Sequence, residues 1–237
     1  MKRVLEEVEA AKVDFAEHPF WSRMRRPWSA ADIRKFVPEI GFWVLGFVDV
    51  LRYLEDLTQD EQFKAILAEN RIEDKRHYKW YLADLKALEI ELSAAEVFAE
   101  SRDAIRDVVY ELVGRVMSSE FDAERMALAM AVEAAGRVAV EFFAVGISDY
   151  GGRRPLIYFG PGHLKVETES DEHMQALLTE RALSPDEREA ACLAVRDTFC
   201  TFHRMMDYFE RFSAEGELGP IEVSAPIAAR PLHPALN

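Results

Sequence analysis

Cysteine is scarce. Cys192 and Cys200 are the two in 237 residues. Two thiols make no disulfide framework, and no Cys-x-x-Cys pair offers a thiolate zinc or redox site, so a reduced, cytoplasmic setting is expected. Basic residues are outnumbered: 29 Lys and Arg face 43 Asp and Glu, a net charge of −14. Such a surface repels phosphate backbones and anionic lipid heads, which argues against nucleic-acid and membrane partners. Long apolar runs are absent. The most apolar stretch, residues 40–51, carries Asp49 and falls short of the ~20 apolar residues a bilayer span takes. The first residues turn acidic at once and lack the apolar run of a secretory leader. Also missing are a Gly-rich phosphate loop, a G-x-S-x-G elbow and a Ser-His-Asp signature.

Glycine and proline are sparse as well. Between Asp56 and Met117 Gly114 is the one glycine, and there is no proline. The same stretch is rich in Ala, Leu, Glu, Arg and Lys, which favours helix. No strand alternation bounded by turn signals occurs, so the chain reads as an all-α fold. Helices are predicted over residues 2–17, 29–57 with a kink at Pro38, 58–88, 93–119, 122–148, 162–180 and 184–214. His18-Pro19 ends the first. Ser29 with Asp32, Thr58 with Glu61, Ser93 with Glu96 and Ser184 with Glu187 read as N-caps. Residues 149–162 hold four glycines and two prolines and form the clearest loop. One domain over 1–214 is expected, followed by an extended proline-containing tail over 215–237.

Several of these helices carry polar residues at ligand-like spacing. Residues three or four apart share a helix face, so Glu73 and Asp74 both lie one turn before His77. Glu133 sits in an almost wholly apolar run of residues 127–136, where a carboxylate is costly unless a cation or hydrogen bonds compensate it. Arg137 offers an ion pair to Glu133 and, more readily, to Glu141. His163 and Glu167 are four apart, Ser170 continues their stripe, and His173 is turned away from it. Each feature alone also fits a solvated or salt-bridged face. Together they place imidazoles and carboxylates on helices of one bundle, a natural way to converge ligands on iron or manganese. His203 and Cys200 read as core positions. Phe36, Phe42, Trp43 and Phe47 read as core or as the wall of a substrate pocket.

The run His18-Pro19-Phe20-Trp21, followed by residues 28–36, resembles the opening of haem-oxygenase-like-fold proteins of the TenA and PqqC type. Three further segments resemble the non-haem diiron oxidase and oxygenase branch of that superfamily. They are Glu73-Asp74-x-x-His77 with Tyr78, Trp80, Tyr81, Leu82, Asp84 and Leu85, then Glu133, then His163-x-x-x-Glu167-x-x-Ser170.

The resemblance implies a seven-helix haem-oxygenase-like bundle holding one or two Fe(II) ions per chain, with O2 as co-substrate. By position it assigns His77, Glu133, His163 and Glu167 as ligands. The sequence departs from the pattern twice. Ser170 stands where the motif closes with histidine, which leaves His173 as a substitute through a distorted turn. Asn70 stands where a carboxylate often lies, which leaves Glu73 or Asp74. These departures keep open one metal or two, a metal-independent enzyme of the TenA or PqqC kind, and a member reduced to a binding protein. The expected partner is a small organic substrate, and a homodimer is a further expectation.

Overall fold

Alanine sets the centre of the fold. Residues 126–135 read Met-Ala-Leu-Ala-Met-Ala-Val-Glu-Ala-Ala, and every one is buried. A helix apolar on all sides belongs inside a bundle, and its methyl side chains let neighbours approach closely. The computed structural model describes residues 1–25, 28–147 and 155–215, without the side chains of 168–175, 214 and 215. The chain runs α1 (Lys2–Ala16), α2 (Pro19–Met24), α3 (Ala30–Phe36), α4 (Gly41–Leu57), α5 (Glu61–Asp74), α6 (His77–Ala87), α7 (Ala94–Val97), a 3-10 turn (Glu100–Arg102), α8 (Asp103–Ser118), α9 (Asp122–Gly146), α10 (Pro161–Leu178) and α11 (Pro185–Glu215). No strand occurs among the described residues, and the fold is all-α. Seven of the helices, α1, α4, α5, α8, α9, α10 and α11, are 14 residues or longer. No helix among the described residues is long and apolar enough to cross a membrane.

α9 packs against α11, α10 and α1, while α4 packs against α8 and α5. The core is strongly aromatic. Trp21 stacks on Phe142 at 5.0 Å, and Phe20, Trp28, Phe36 and Phe209 meet edge-on or tilted at 5.0–6.0 Å. Salt bridges lace α11 to three other helices. Arg23 of α2 grips Glu210 through two 2.7 Å bonds, Arg196 pairs with Glu7 of α1 at 2.6 Å, and Arg115 of α8 with Asp197 at 2.7 Å.

Helix boundaries differ from the sequence expectation at several turns. The helix expected over 58–88 is two: Lys75 N–H caps Arg71 C=O, and α6 begins at His77. The N-cap of α5 is Asp60, whose carboxylate accepts from Gln62 and Phe63 N–H. Thr58 is buried and donates to Leu54 C=O. Pro38 does not kink a helix but lies in the turn between α3 and α4. The Ser93–Glu96 capping box forms, but α7 stops after one turn. Beyond it Arg102 reaches back to the Glu96 carbonyl and the Glu39 carboxylate, and α8 starts afresh. His18 does more than end α1: its Nδ1 accepts from Phe20 N–H and caps α2. Cys200, read as core, is exposed, whereas Cys192 is buried. Residues 149–154 of the loop expected at 149–162, and residues 216–237 of the tail expected from 215, lie outside the described residues.

Candidate metal centre

The break between α5 and α6 shapes the site. It makes Asp74 the last residue of one helix and His77 the first of the next, and both are buried. Across from them α9 brings Glu133, and the first two turns of α10 bring His163 and Glu167, all buried. These five side chains line one cavity. His77 Nδ1 stands 3.3 Å from Asp74 Oδ1 and 3.7 Å from Glu167 Oε1, and His163 Nε2 is 2.9 Å from Glu167 Oε1. Asp74 is hydrogen-bonded to Glu133. Of the other sequence candidates, Glu73 is half-buried and does not line the cavity. The side chains of His173 and Ser170 lie outside those described. Arg137 reaches Glu141 at 3.6 Å.

Hydrogen bonding fixes how His163 presents itself. Its Nδ1 is 2.7 Å from the Tyr158 carbonyl. A carbonyl only accepts, so Nδ1 carries the proton, and in the neutral ring Nε2 turns a lone pair toward Glu167. Two acceptors at 2.9 Å repel unless a proton or a cation joins them. His77 has the complementary problem. Burial foremost, then the neighbouring His163, lowers its pKa to about 4, so the ring is neutral at pH 7. Its Nε2 is buried with no hydrogen-bond partner among the described residues. Burial, then the Glu167 charge, pushes the Asp74 carboxyl well above its usual range, and the Glu133 hydrogen bond offsets part of that rise.

Those features suit a divalent cation. One donor atom each from His77, His163 and Glu167 lies within 4.8 Å of the others. Ligands bonded at ~2.1 Å stand ~3 Å apart when adjacent around an ion and ~4.2 Å when opposite. Neutral imidazoles with buried carboxylates are the donors iron and manganese take. Asp74 and Glu133 add carboxylate oxygens beside the same three residues, and no lysine or arginine lines the cavity among the described residues.

The rest of the cavity is apolar. Phe36, Trp43, Phe47, Phe143, Met206 and Phe209 form much of its wall, and about 70 Å³ is open to the centre of a water molecule. Phe42 packs instead against Phe98 and Tyr110. Gly136, one turn beyond Glu133, holds part of this space open: a Cβ there would meet nothing within 4 Å. Trp80 lies against both histidines, with ring centroids 4.8 and 5.4 Å away. His203 sits elsewhere, 3.2 Å from Asp14. Sequence reasoning missed Tyr158, which acts through its carbonyl and so leaves no side-chain signal, as well as Gly136 and the methionines of α11.

A helical bundle with a buried imidazole and carboxylate cluster facing an apolar chamber is the class of molecule defined by this geometry. The fold is that of TenA homologues. The chain superposes on one from Pseudomonas syringae pv. tomato strain DC3000 with a TM-score of 0.61 and 14% identity, over 86% of this chain and 90% of the other. A TenA homologue from Pyrococcus furiosus gives 0.60 and 12%, over 87% and 98%. At these identities the likeness is one of fold. No protein-family model and no curated protein matches the sequence.

Proposed function

We propose that the protein is a non-haem iron enzyme that oxidises a small organic molecule in its apolar chamber, with O2 as co-substrate. The observation that carries this reading is the convergence of His77, His163 and Glu167 within 4.8 Å, with Asp74 and Glu133 beside them. His77, His163 and Glu167 would hold the first ion, and Asp74 and Glu133 would complete its shell or share a second. Bound ferrous iron supplies the one-electron chemistry with O2 that none of these side chains can perform. The chain's own residues do the rest. The Tyr158 carbonyl keeps the Nδ1 proton on His163. A cation held here would favour the ionised form of the Asp74 carboxyl. The aromatic wall excludes water and holds an apolar substrate against the ligand cluster.

Anaerobic Fe(II) loading followed by elemental analysis tests this. At least about one iron per chain is expected, and His77→Ala and His163→Ala should each lose most of it. Wild-type protein that stays metal-free under these conditions contradicts the proposal.

A second reading is favoured by the fold likeness itself: both structural neighbours are described as TenA homologues. In this reading the chain is a metal-independent enzyme of the TenA or PqqC kind, and the buried carboxylates act as acid and base. Ligand binding or turnover that survives exhaustive chelation distinguishes it.

A further inference from the structure

The turn that enters α10 is held by a carboxylate outside the ligand cluster. Asp84 lies on α6, two turns beyond His77, and is 1% exposed. Its Oδ1 accepts the Ile157 N–H at 2.8 Å and its Oδ2 the Phe159 N–H at 3.0 Å. Between those two amides sits Tyr158, whose carbonyl receives the His163 Nδ1 proton. A buried carboxylate is costly, and one satisfied by backbone N–H groups fixes their positions in return. The same helix therefore supplies His77 at its first residue and, through Asp84, the register of the segment that aims His163. Phe159 N–H and Ile157 N–H point toward Asp84 from either side of one peptide, which leaves the Tyr158 C=O little freedom to rotate.

We propose that Asp84 is a positioning residue for the site: it clamps residues 157–159 so that the Tyr158 carbonyl selects the His163 tautomer and turns Nε2 toward Glu167. This builds on the reading of the cluster as a divalent-metal site. Asp84 touches neither ligand nor substrate and acts through two backbone amides and one carbonyl. Outer-shell partners of this kind typically change metal affinity 10–100-fold.

The test uses Co(II) added to the metal-stripped full chain, with visible spectra and competition against a chelator as readouts. Asp84→Asn keeps the size of the side chain but offers an NH2 where one amide needs an acceptor. It should bind Co(II) at least about 10-fold more weakly and with shifted ligand-field bands. Glu39→Gln is the control. Glu39 is a buried carboxylate that accepts from Arg102 at 2.9 Å and Tyr208 at 2.8 Å and does not line the cavity, so its loss should lower the melting temperature without changing Co(II) affinity. Equal Co(II) affinity and identical spectra in wild type and Asp84→Asn overturn the clamp and leave the metal site standing. Absence of Co(II) binding by wild type overturns both. A wild-type measurement covers the case in which Asp84→Asn does not fold. Long-range ¹H–¹⁵N spectra should show His163 protonated at Nδ1, and the opposite tautomer overturns the inference.

Discussion

His163 shows how far one residue's surroundings decide its chemistry. A histidine at a helix start is unremarkable in sequence, and here a backbone carbonyl turns it into a fixed lone-pair donor. Asp74 makes the converse point. Burial, then the Glu167 charge, lifts its carboxyl above the usual range, so its folded value exceeds its unfolded value. Such a group stabilises the fold below the unfolded pKa and loses that contribution as pH rises toward the folded one. A replacement that cannot ionise should therefore help the metal-free protein above the unfolded pKa. Asp74→Asn is expected to raise the melting temperature in chelator by about 2–4 °C, about 1 kcal/mol, while lowering metal content. Unchanged or lower melting would show that the apoprotein carries no strain at Asp74. Gly136 gives a second test. It sits inside α9 with open space where a Cβ would go, so Gly136→Ala should stabilise the protein by about 0.5–1 kcal/mol through helix propensity. Chemical denaturation checks this, and a loss of stability would show that the glycine is needed for packing. At this scale Glu133 stood out by its apolar surroundings, while His77, His163 and Glu167 were singled out by helical spacing and by the family resemblance; the four line one cavity. The choice of Asp74 over Glu73 was not, since it depends on where α5 stops.

Among the elements, helix starts marked by side-chain caps were readable. The boxes Ser29–Asp32 and Ser93–Glu96 both form, and Ser184 and Glu187 cap each other's backbone. The break at Lys75–Arg76 was hidden, because both residues are good helix formers and the turn is imposed by packing. α11 is the element most dependent on charge. Arg196 holds the Glu7 carboxyl below its usual range, and Arg23 does the same to Glu210. Burial pushes Glu111 up, but Arg115, Thr201 and Arg204 outweigh it and bring it down. A carboxyl lowered in the folded state stabilises above its unfolded pKa, about 4.3, and that contribution disappears as pH falls through the folded value. Hydrogen exchange should show α11 amides losing protection below about pH 4 while the apolar centre of α9 keeps its own. Simultaneous loss in both helices would contradict this assignment.

For the whole molecule, the all-α class was legible in the helix-favouring composition and the missing strand signals, whereas the central place of α9 was not read from the sequence. The chamber was legible only in part: Phe36, Trp43 and Phe47 line it, but the rest of its wall comes from scattered positions on α2, α9 and α11 that only the fold brings together. The net charge of −14 counts every residue of the chain, yet three carboxylates and two imidazoles are buried and face inward into one cavity. The central claim is that these inward groups hold iron. Crystals of the protein loaded anaerobically with Fe(II), measured on both sides of the iron absorption edge, test it most directly. An anomalous peak bounded by His77, His163 and Glu167 is the predicted result. A map with no peak there, from protein that has been given iron, would contradict the account.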